Sequence, residues 1–574
     1  MPHLLALLLV LALWSHGSSH VQQQQPSAPT PPSAPDIPDA LRIQATDPEA
    51  AAKILEAVTA RAPRNARAWR LLGVALHLSK QYDRAIEAYQ KAIAIQPDPI
   101  ATYNIGAAYA RKNDPDRAFE WLAKARATKQ FDMTQMQLDP DLEPLRGDPR
   151  FTALLPKKED FANPFVEETR ILAEWGGEAM NDQFGWIARA IGDVDKDGVI
   201  DFVTCAPFRG GQAQPAGRIY AYSTKSRQLL WKADGAPGDR LGMTLEAAGD
   251  ANADGIPDVV ATGGSKAYVY SGRDGATLLT LTSPGALPLG AAASAGDVNR
   301  DGHADVIAGA TPPRPGQGGG AGVPPSQAPL PAGNAYVFSG KDGTVLLSLA
   351  GERAGDNFGS AVAGHTAGPR MLLIVGAPSA GPRNAGRAYV YTSLTAKPAF
   401  VIDADETGAA LGAMFVAAAG DVNKDGVEDA YASDFANRAK GPSTGRVYVH
   451  SGRDGSRLLT LTGEGPGEGF GTSASAAGDI DGDGHADLAV GAWQYGGAAV
   501  SGGRIYLHSG RDGRLLRTIT CRIPGDTLGF DSVGIGDTDG DGTVDLLLTS
   551  AYSGINGYRS GRVFLVSSGV EHKE

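Results

Sequence analysis

Beyond residue 165, apolar and polar positions alternate in short runs that return mostly at intervals of 47 to 58 residues. Residues 217–222 (Gly-Arg-Ile-Tyr-Ala-Tyr), 386–391 (Gly-Arg-Ala-Tyr-Val-Tyr) and 445–450 (Gly-Arg-Val-Tyr-Val-His) carry the two-residue period of a strand. Turn chemistry at Ser451–Gly455 leads into the apolar run Leu458–Leu461, which predicts a hairpin and an outer strand. Other short apolar runs end in small residues, as at Cys205–Pro207, Ala308–Ala310, Gly376–Pro378 and Gly491–Ala492. Four short strands per unit make a β-propeller blade. Residues 66–99 follow a different rule. Trp69, Leu72, Gly73 and Leu76 precede Ala85, Tyr89, Ala92 and Pro97, as in two packed helices, and 33 residues later Ile105, Gly106, Tyr109, Ala118, Leu122 and Ala125 repeat the set. A half-copy (Ala51, Leu55, Val58, Pro63) comes first, and Asp139–Phe151 closes an array of about five helices.

Six copies of Gly-Asp-x-Asp/Asn-x-Asp-Gly-x-x-Asp punctuate the strand region. Their oxygen-bearing side chains are Asp193, Asp195, Asp197 and Asp201; Asp250, Asn252, Asp254 and Asp258; Asp297, Asn299, Asp301 and Asp305; Asp421, Asn423, Asp425 and Asp429; Asp479, Asp481, Asp483 and Asp487; Asp537, Asp539, Asp541 and Asp545. A hard cation such as Ca²⁺ takes roughly six to eight oxygens, and side chains at loop positions one, three and five converge on one point while position nine closes the shell. Gly at position six permits the tight reversal. Position seven offers only its backbone carbonyl, so His303 and His485 there are expected to face solvent. A lone copy would be an ordinary Asp-Gly turn, but the repetition makes about six Ca²⁺ sites the expectation. The loop starts lie 57, 47, 124, 58 and 58 residues apart, so one of seven units lacks its loop. Residues 364–368 stand in its place and are expected to hold no metal.

An apolar residue and a Gly recur in each unit: Phe184-Gly185, Leu241-Gly242, Leu289-Gly290, Phe358-Gly359, Leu411-Gly412, Phe470-Gly471 and Leu528-Gly529. With the acidic loop and the Gly-Ala-Pro element, this resembles the FG-GAP repeat of the integrin α-subunit N-terminal propeller family over residues 165–569. The resemblance implies a seven-bladed ring with Ca²⁺ between the first and second strands of a blade. The helical positions resemble tetratricopeptide repeats, spanning 39–155. The expected fold is therefore mainly β, a seven-bladed β-propeller preceded by a small α-helical tetratricopeptide-like array. The final unit ends after its third strand at 561–566, and Glu168–Ala173 is expected to complete it and remove an exposed sheet edge.

Residues 1–20, with an apolar run from Leu4 to Trp14, resemble a signal peptide and are too short for a membrane span, which implies a secreted, extracellular or periplasmic protein. Residues 21–38 are Gln/Pro-rich and expected to be a disordered linker. The net charge of −12 reflects 21 loop carboxylates; six divalent cations would bring it to zero, leaving no reason to expect nucleic acid. Cys205 and Cys521 fall in blades that are not neighbours, as buried thiols rather than a disulfide.

No His-Glu-x-x-His or Cys-rich cluster is present, and the ten histidines are scattered. Each loop fills its own ligand positions, so the calcium is read as structural. Recognition then falls to the opposite face, where Phe208, Phe435, Trp493, Tyr495, Tyr552 and Tyr558 either meet a ligand or pack between blades. The resulting reading is a secreted calcium-binding propeller, not an enzyme, that binds protein or glycan as an adhesion module. The alternative is a quinoprotein-like oxidoreductase or polysaccharide lyase on the same scaffold. Quinoprotein repeats would want a Trp at one place in every blade, and Trp175, Trp186, Trp231 and Trp493 do not supply it. The helical array is either a packed spacer or a groove for a peptide or protein partner.

Overall fold

A computed structural model describes residues 36–211, 213–312, 330–367 and 370–570. The chain divides into two compact units, Met1–Ala162 and Asn163–Glu574. The stretch read as a signal peptide lies outside the described residues.

The first unit is helical: α1 (Ile37–Ile43), α2 (Pro48–Arg61), α3 (Ala66–Leu78), α4 (Tyr82–Ile95), α5 (Pro99–Arg111), α6 (Pro115–Ala127) and, after two 3₁₀ turns, α7 (Pro149–Leu154). Side chains of Asp47, Asn65, Asp98 and Asp114 accept the orphan N–H groups at the starts of α2, α3, α5 and α6, and Pro opens three of these helices. Helix α1 begins inside the stretch expected to be linker, because Asp36 caps it and Pro38 suits the first turn. The paired helices pack as closely as their small residues allow. A Cβ at Gly73 would lie 2.4 Å from the Tyr89 ring, and one at Gly106 would lie 2.8 Å from Leu122. The closing segment folds back onto α3 and α5. Phe131 stacks on Tyr103 at 4.3 Å, the Tyr103 hydroxyl donates to Asp139 Oδ2 at 2.7 Å, and His77 Nε2 meets Asp141 Oδ2 at 2.9 Å.

The second unit is a ring of seven four-stranded sheets. Blade one consists of Ala188–Gly192, Asp201–Ala206, Arg218–Tyr222 and Leu229–Asp234, innermost strand first, and each neighbouring pair is antiparallel. Its second strand is buried at every position, which is why the apolar run does not alternate. Between blades one and two, Ile191, Val203, Ile219, Leu241 and Val259 share one apolar cluster.

The recurring Phe-Gly or Leu-Gly is the joint between blades. The backbones of Gly217 and Leu241, Gly386 and Leu411, Gly503 and Leu528, and Phe184 and Gly561 bridge one blade to the next. Gly561 has φ +89°, and a Cβ there would sit 2.0 Å from the Phe184 carbonyl oxygen, so only Gly fits. Leu241, Leu411 and Leu528 are as completely buried as Phe184 and fill the same slot without the ring.

The ring closes as expected. Ile171–Gly176 pairs antiparallel with Arg562–Ser567 and becomes the fourth strand of blade seven, beginning three residues later than the run read from the sequence. Both cysteines are buried, unpaired thiols. In blade four, Gly364–Ala367 belongs to the innermost strand Val362–Ala367, which pairs directly with Arg370–Ala377. Gly368 lies outside the described residues.

Candidate functional site

Because the strands of a blade run antiparallel, the acidic loops and the turns between third and fourth strands share one face of the ring. The connections between second and third strands, and those from one blade to the next, occupy the other.

In blade one, Asp193 Oδ1 accepts from Asp197 N at 3.0 Å and Oδ2 from Gly198 N at 2.9 Å, while Asp197 Oδ1 accepts from Val199 N at 3.0 Å. The first- and fifth-position carboxylates thus wind the loop around themselves. The ninth-position Asp201 is fully buried; Oδ2 accepts from Val194 N at 3.0 Å and Oδ1 from Thr224 N at 3.1 Å, tying the loop to the neighbouring turn. Asp258, Asp305, Asp429 and Asp487 make the same pair of bonds, to Gly272, Gly340, Gly452 and Gly510 on the turn side. Burial pushes Asp201, Asp258, Asp305, Asp429 and Asp487 up to about 6.

Three loops gather carboxylate oxygens within 4.8 Å of one another: Asp193, Asp195 and Asp197; Asp479, Asp481 and Asp483; Asp537, Asp539 and Asp545. Oδ1 of Asp479, Asp481 and Asp545 is buried without a hydrogen-bond partner. An all-oxygen set with orphaned buried carboxylate atoms fits a hard divalent cation. In the other three loops the third position is Asn. Its carbonyl accepts from the fifth-position N–H, and its amide lies 3.2 to 3.4 Å from the fifth-position carboxylate.

Two features of this face escaped the sequence reading. His303 and His485 do not simply face solvent. Nδ1 of each lies 2.7 Å from a backbone oxygen of the preceding blade's loop, Ala251 and Val422 respectively. The backbone adds to the link, since Ala304 N donates to Asp250 O at 2.9 Å and Ala486 N to Asp421 O at 3.1 Å. The loops are therefore joined in neighbouring pairs, a contact between residues 52 and 63 positions apart that no local pattern announces. The second feature is a cation beside the acids. Arg273 reaches Asp254 at 3.3 Å, Arg453 reaches Asp425 at 3.2 Å, and Arg170 reaches Asp541 at 2.5 Å.

On the opposite face the expected aromatics separate. Phe435 is only 6% exposed, so it packs in the protein and leaves the exposed set. Tyr495 lies beneath the Arg504 guanidinium at 3.8 Å, and the ring of Tyr558 faces Arg559 at 4.9 Å. Phe208, Trp493 and Tyr552 are partly exposed and join one cluster through two rings not foreseen, Trp186 and Phe530. Centroid separations are 5.5 Å for Phe208–Trp186, 4.5 Å for Trp186–Phe530, 5.6 Å for Phe530–Trp493 and 5.8 Å for Trp493–Tyr552. Trp186 and Phe530 each follow the Gly of the blade joint. An aromatic there in the first and last units alone was the available signal, because those units become neighbours when the ring closes.

These features are those of a seven-bladed β-propeller with a tetratricopeptide-like helical array before it, and parts of each resemble known repeats. Residues 250–308 match the FG-GAP-like repeat, 470–508 the FG-GAP repeat and 41–99 the tetratricopeptide repeat. The chain is similar to integrin alpha-4 of Xenopus laevis, 31% identical over 177 residues that make up 28% of this chain and 17% of that one. Human integrin alpha-7 is 28% identical over 20% of this chain and 10% of its own length. A chloroplastic protein of Arabidopsis thaliana is 28% identical over 18% of this chain and 30% of its own. The chain thus spans less than a third of the length of these relatives.

Proposed function

We propose that this chain is a secreted calcium-binding propeller serving as a protein- or glycan-binding, adhesion-type module, with Ca²⁺ in a structural role. Likeness to integrin α propellers suggests a binding or adhesion module. The carrying observation is the acidic loop with a fully buried ninth-position Asp in each of the six units that have one. Bound Ca²⁺ would lie among the first-, third-, fifth- and ninth-position side chains and supply positive charge to offset their mutual repulsion and desolvation. The protein's own residues hold the loop: outside blade six the first-position carboxylate receives at least two backbone N–H groups, and in blades one, two, three, five and six the ninth pins the loop to the turn entering the fourth strand.

Ligand contact is assigned to the opposite face, around Trp493, Tyr552 and Phe208, with Trp186 and Phe530 beneath them. Large, partly exposed rings supply contact area at low entropic cost. The faces of α3 and α5 that carry His77 and Tyr103 hold the chain's own residues 131–142. A peptide or protein partner of the array would therefore displace that segment or engage another face.

If free calcium stands ten to a hundred times above the dissociation constant, each site contributes about 1.4–2.7 kcal/mol to the folded state. Calorimetric titration is expected to report about six sites, and excess chelator to lower the melting temperature of the propeller. An unchanged melting curve in chelator would refute the cation assignment. Binding of matrix or cell-surface extracts that is lost in Trp493→Ala, with folding intact, is the expected sign of the ligand face; retention of all binding would remove it.

A further inference from the structure

The turn that enters the fourth strand places one residue at the same point in each blade, two positions after its opening Ser or Thr. Blades one, two, three, five and six have Lys225, Arg273, Lys341, Arg453 and Arg511 there. Blade four is the unit without an acidic loop, and its residue is Leu394, 37% exposed. The blade-four connection, 392–399, is longer than the others and carries its one cation, Lys397, three residues further on.

The contacts converge as well. Arg273 Nη2 lies 3.3 Å from Asp254 Oδ2, Arg453 Nε lies 3.2 Å from Asp425 Oδ2, and Arg511 Nη1 lies 4.0 Å from Asp483 Oδ2. Each target is the fifth loop position of the same blade. Lys225 Nζ donates to the backbone oxygen of the corresponding Asp197 at 2.5 Å. Blade seven has no such turn, because its fourth strand comes from the other end of the propeller. Arg170 stands immediately before that strand, pairs with Asp541 at 2.5 Å and also meets Asp539. A cation therefore reaches the fifth position by two different chain routes.

We infer that Arg170, Arg273, Arg453 and Arg511 are tethered counter-ions, which hold the fifth-position carboxylate while the loop is metal-free and release it when a divalent cation binds. The inference rests on the cation reading of the loops given above. In blade six three carboxylates lie within 4.8 Å and repel one another, and the Arg511 guanidinium offsets that repulsion; in blades two and five the Arg faces a loop with Asn at its third position. The same carboxylate is needed for the cation, so the two positive charges compete. Arg273, Arg453 and Arg511 are 55%, 54% and 67% exposed, and exposed pairs of this kind are weak and easily exchanged. They therefore tune affinity without blocking the loop.

The test uses the full chain carrying Arg273→Gln, Arg453→Gln and Arg511→Gln together, titrated with Ca²⁺ by calorimetry and melted in chelator and in saturating calcium. The expected result is tighter calcium binding, by about 1.5-fold to fivefold at the affected sites, with a lower melting temperature in chelator and an unchanged one in calcium. Unchanged or weaker affinity, or equal losses of melting temperature in both conditions, overturns the inference and leaves these residues as ordinary surface pairs. Arg453→Lys should behave as the unaltered chain, because the charge is kept. If the unaltered chain shows no response to calcium, both the cation reading and this inference fall. If it responds and the triple variant titrates identically, this inference alone falls.

Discussion

Blade four and its six neighbours share strand order and pairing but not chemistry. Blade four joins its first two strands without the acidic loop, has Leu394 two positions into the fourth-strand turn, and still builds a four-stranded sheet with a largely buried second strand. Its Phe358 fills the blade joint as completely as Phe184 does in blade one. The difference teaches that the joints and the apolar second strands make the blade. The acidic loop is an addition to one face, and it arrives as a set: nine-residue loop, buried ninth-position Asp and a cation opposite.

Ring closure offers the sharpest test of that separation. Removing residues 163–183 leaves Arg562–Ser567 as an open edge and takes away the bonds of Gly177, Asn181 and Gln183 to Gly561, Tyr558 and Arg559 beside the joint between blades seven and one. The melting temperature of the propeller is expected to fall by about 10 °C or more. Equal melting of the shortened and full chains would show that the joints do not carry the fold.

A second large effect lies in the innermost layer. Arg189 of blade one lies 2.8 Å from Glu246 of blade two and also pairs with Asp531 of blade seven, which is almost fully buried. Its counterpart in blade four is Ala363, at the same register against the second strand. Arg189→Met should cost about 3–5 kcal/mol by leaving buried acid without its partner. Ala363→Met is the contrasting substitution, and denaturant melts that rank it as the more damaging would overturn the comparison.

Asp479→Asn should remove one cation from blade six. The expected loss is about 1.4–2.7 kcal/mol in calcium and much less in chelator. His365→Ala on the innermost strand of blade four should leave calorimetric calcium binding untouched, and a change there would mean blade four is not silent. The smallest expected loss of stability is at His303→Ala, which breaks the bond to Ala251 and should cost about 1 kcal/mol, readable as an equal shift in calcium and in chelator.

Much of this was legible in the sequence because it is local. An Asp or Asn at loop positions one, three, five and nine, a Gly at the reversal and an aromatic strand on a two-residue period need only neighbours in the chain to have their effect. The missing loop of blade four could be counted from spacing alone. What escaped depends on residues far apart. Phe435 looked exposed because its connection is polar, yet the fold buries its ring. Trp186 and Phe530 meet only because the ring closes.

The sequence by itself determined the repeating unit, the number of blades, the acidic loops and the helical array, since periodicity and turn chemistry act over a few residues. The tertiary structure decided which loops touch, where the cations stand, and which strand closes the ring. Those outcomes depend on apolar faces packing around a circle, and that packing sets neighbours the chain order does not name.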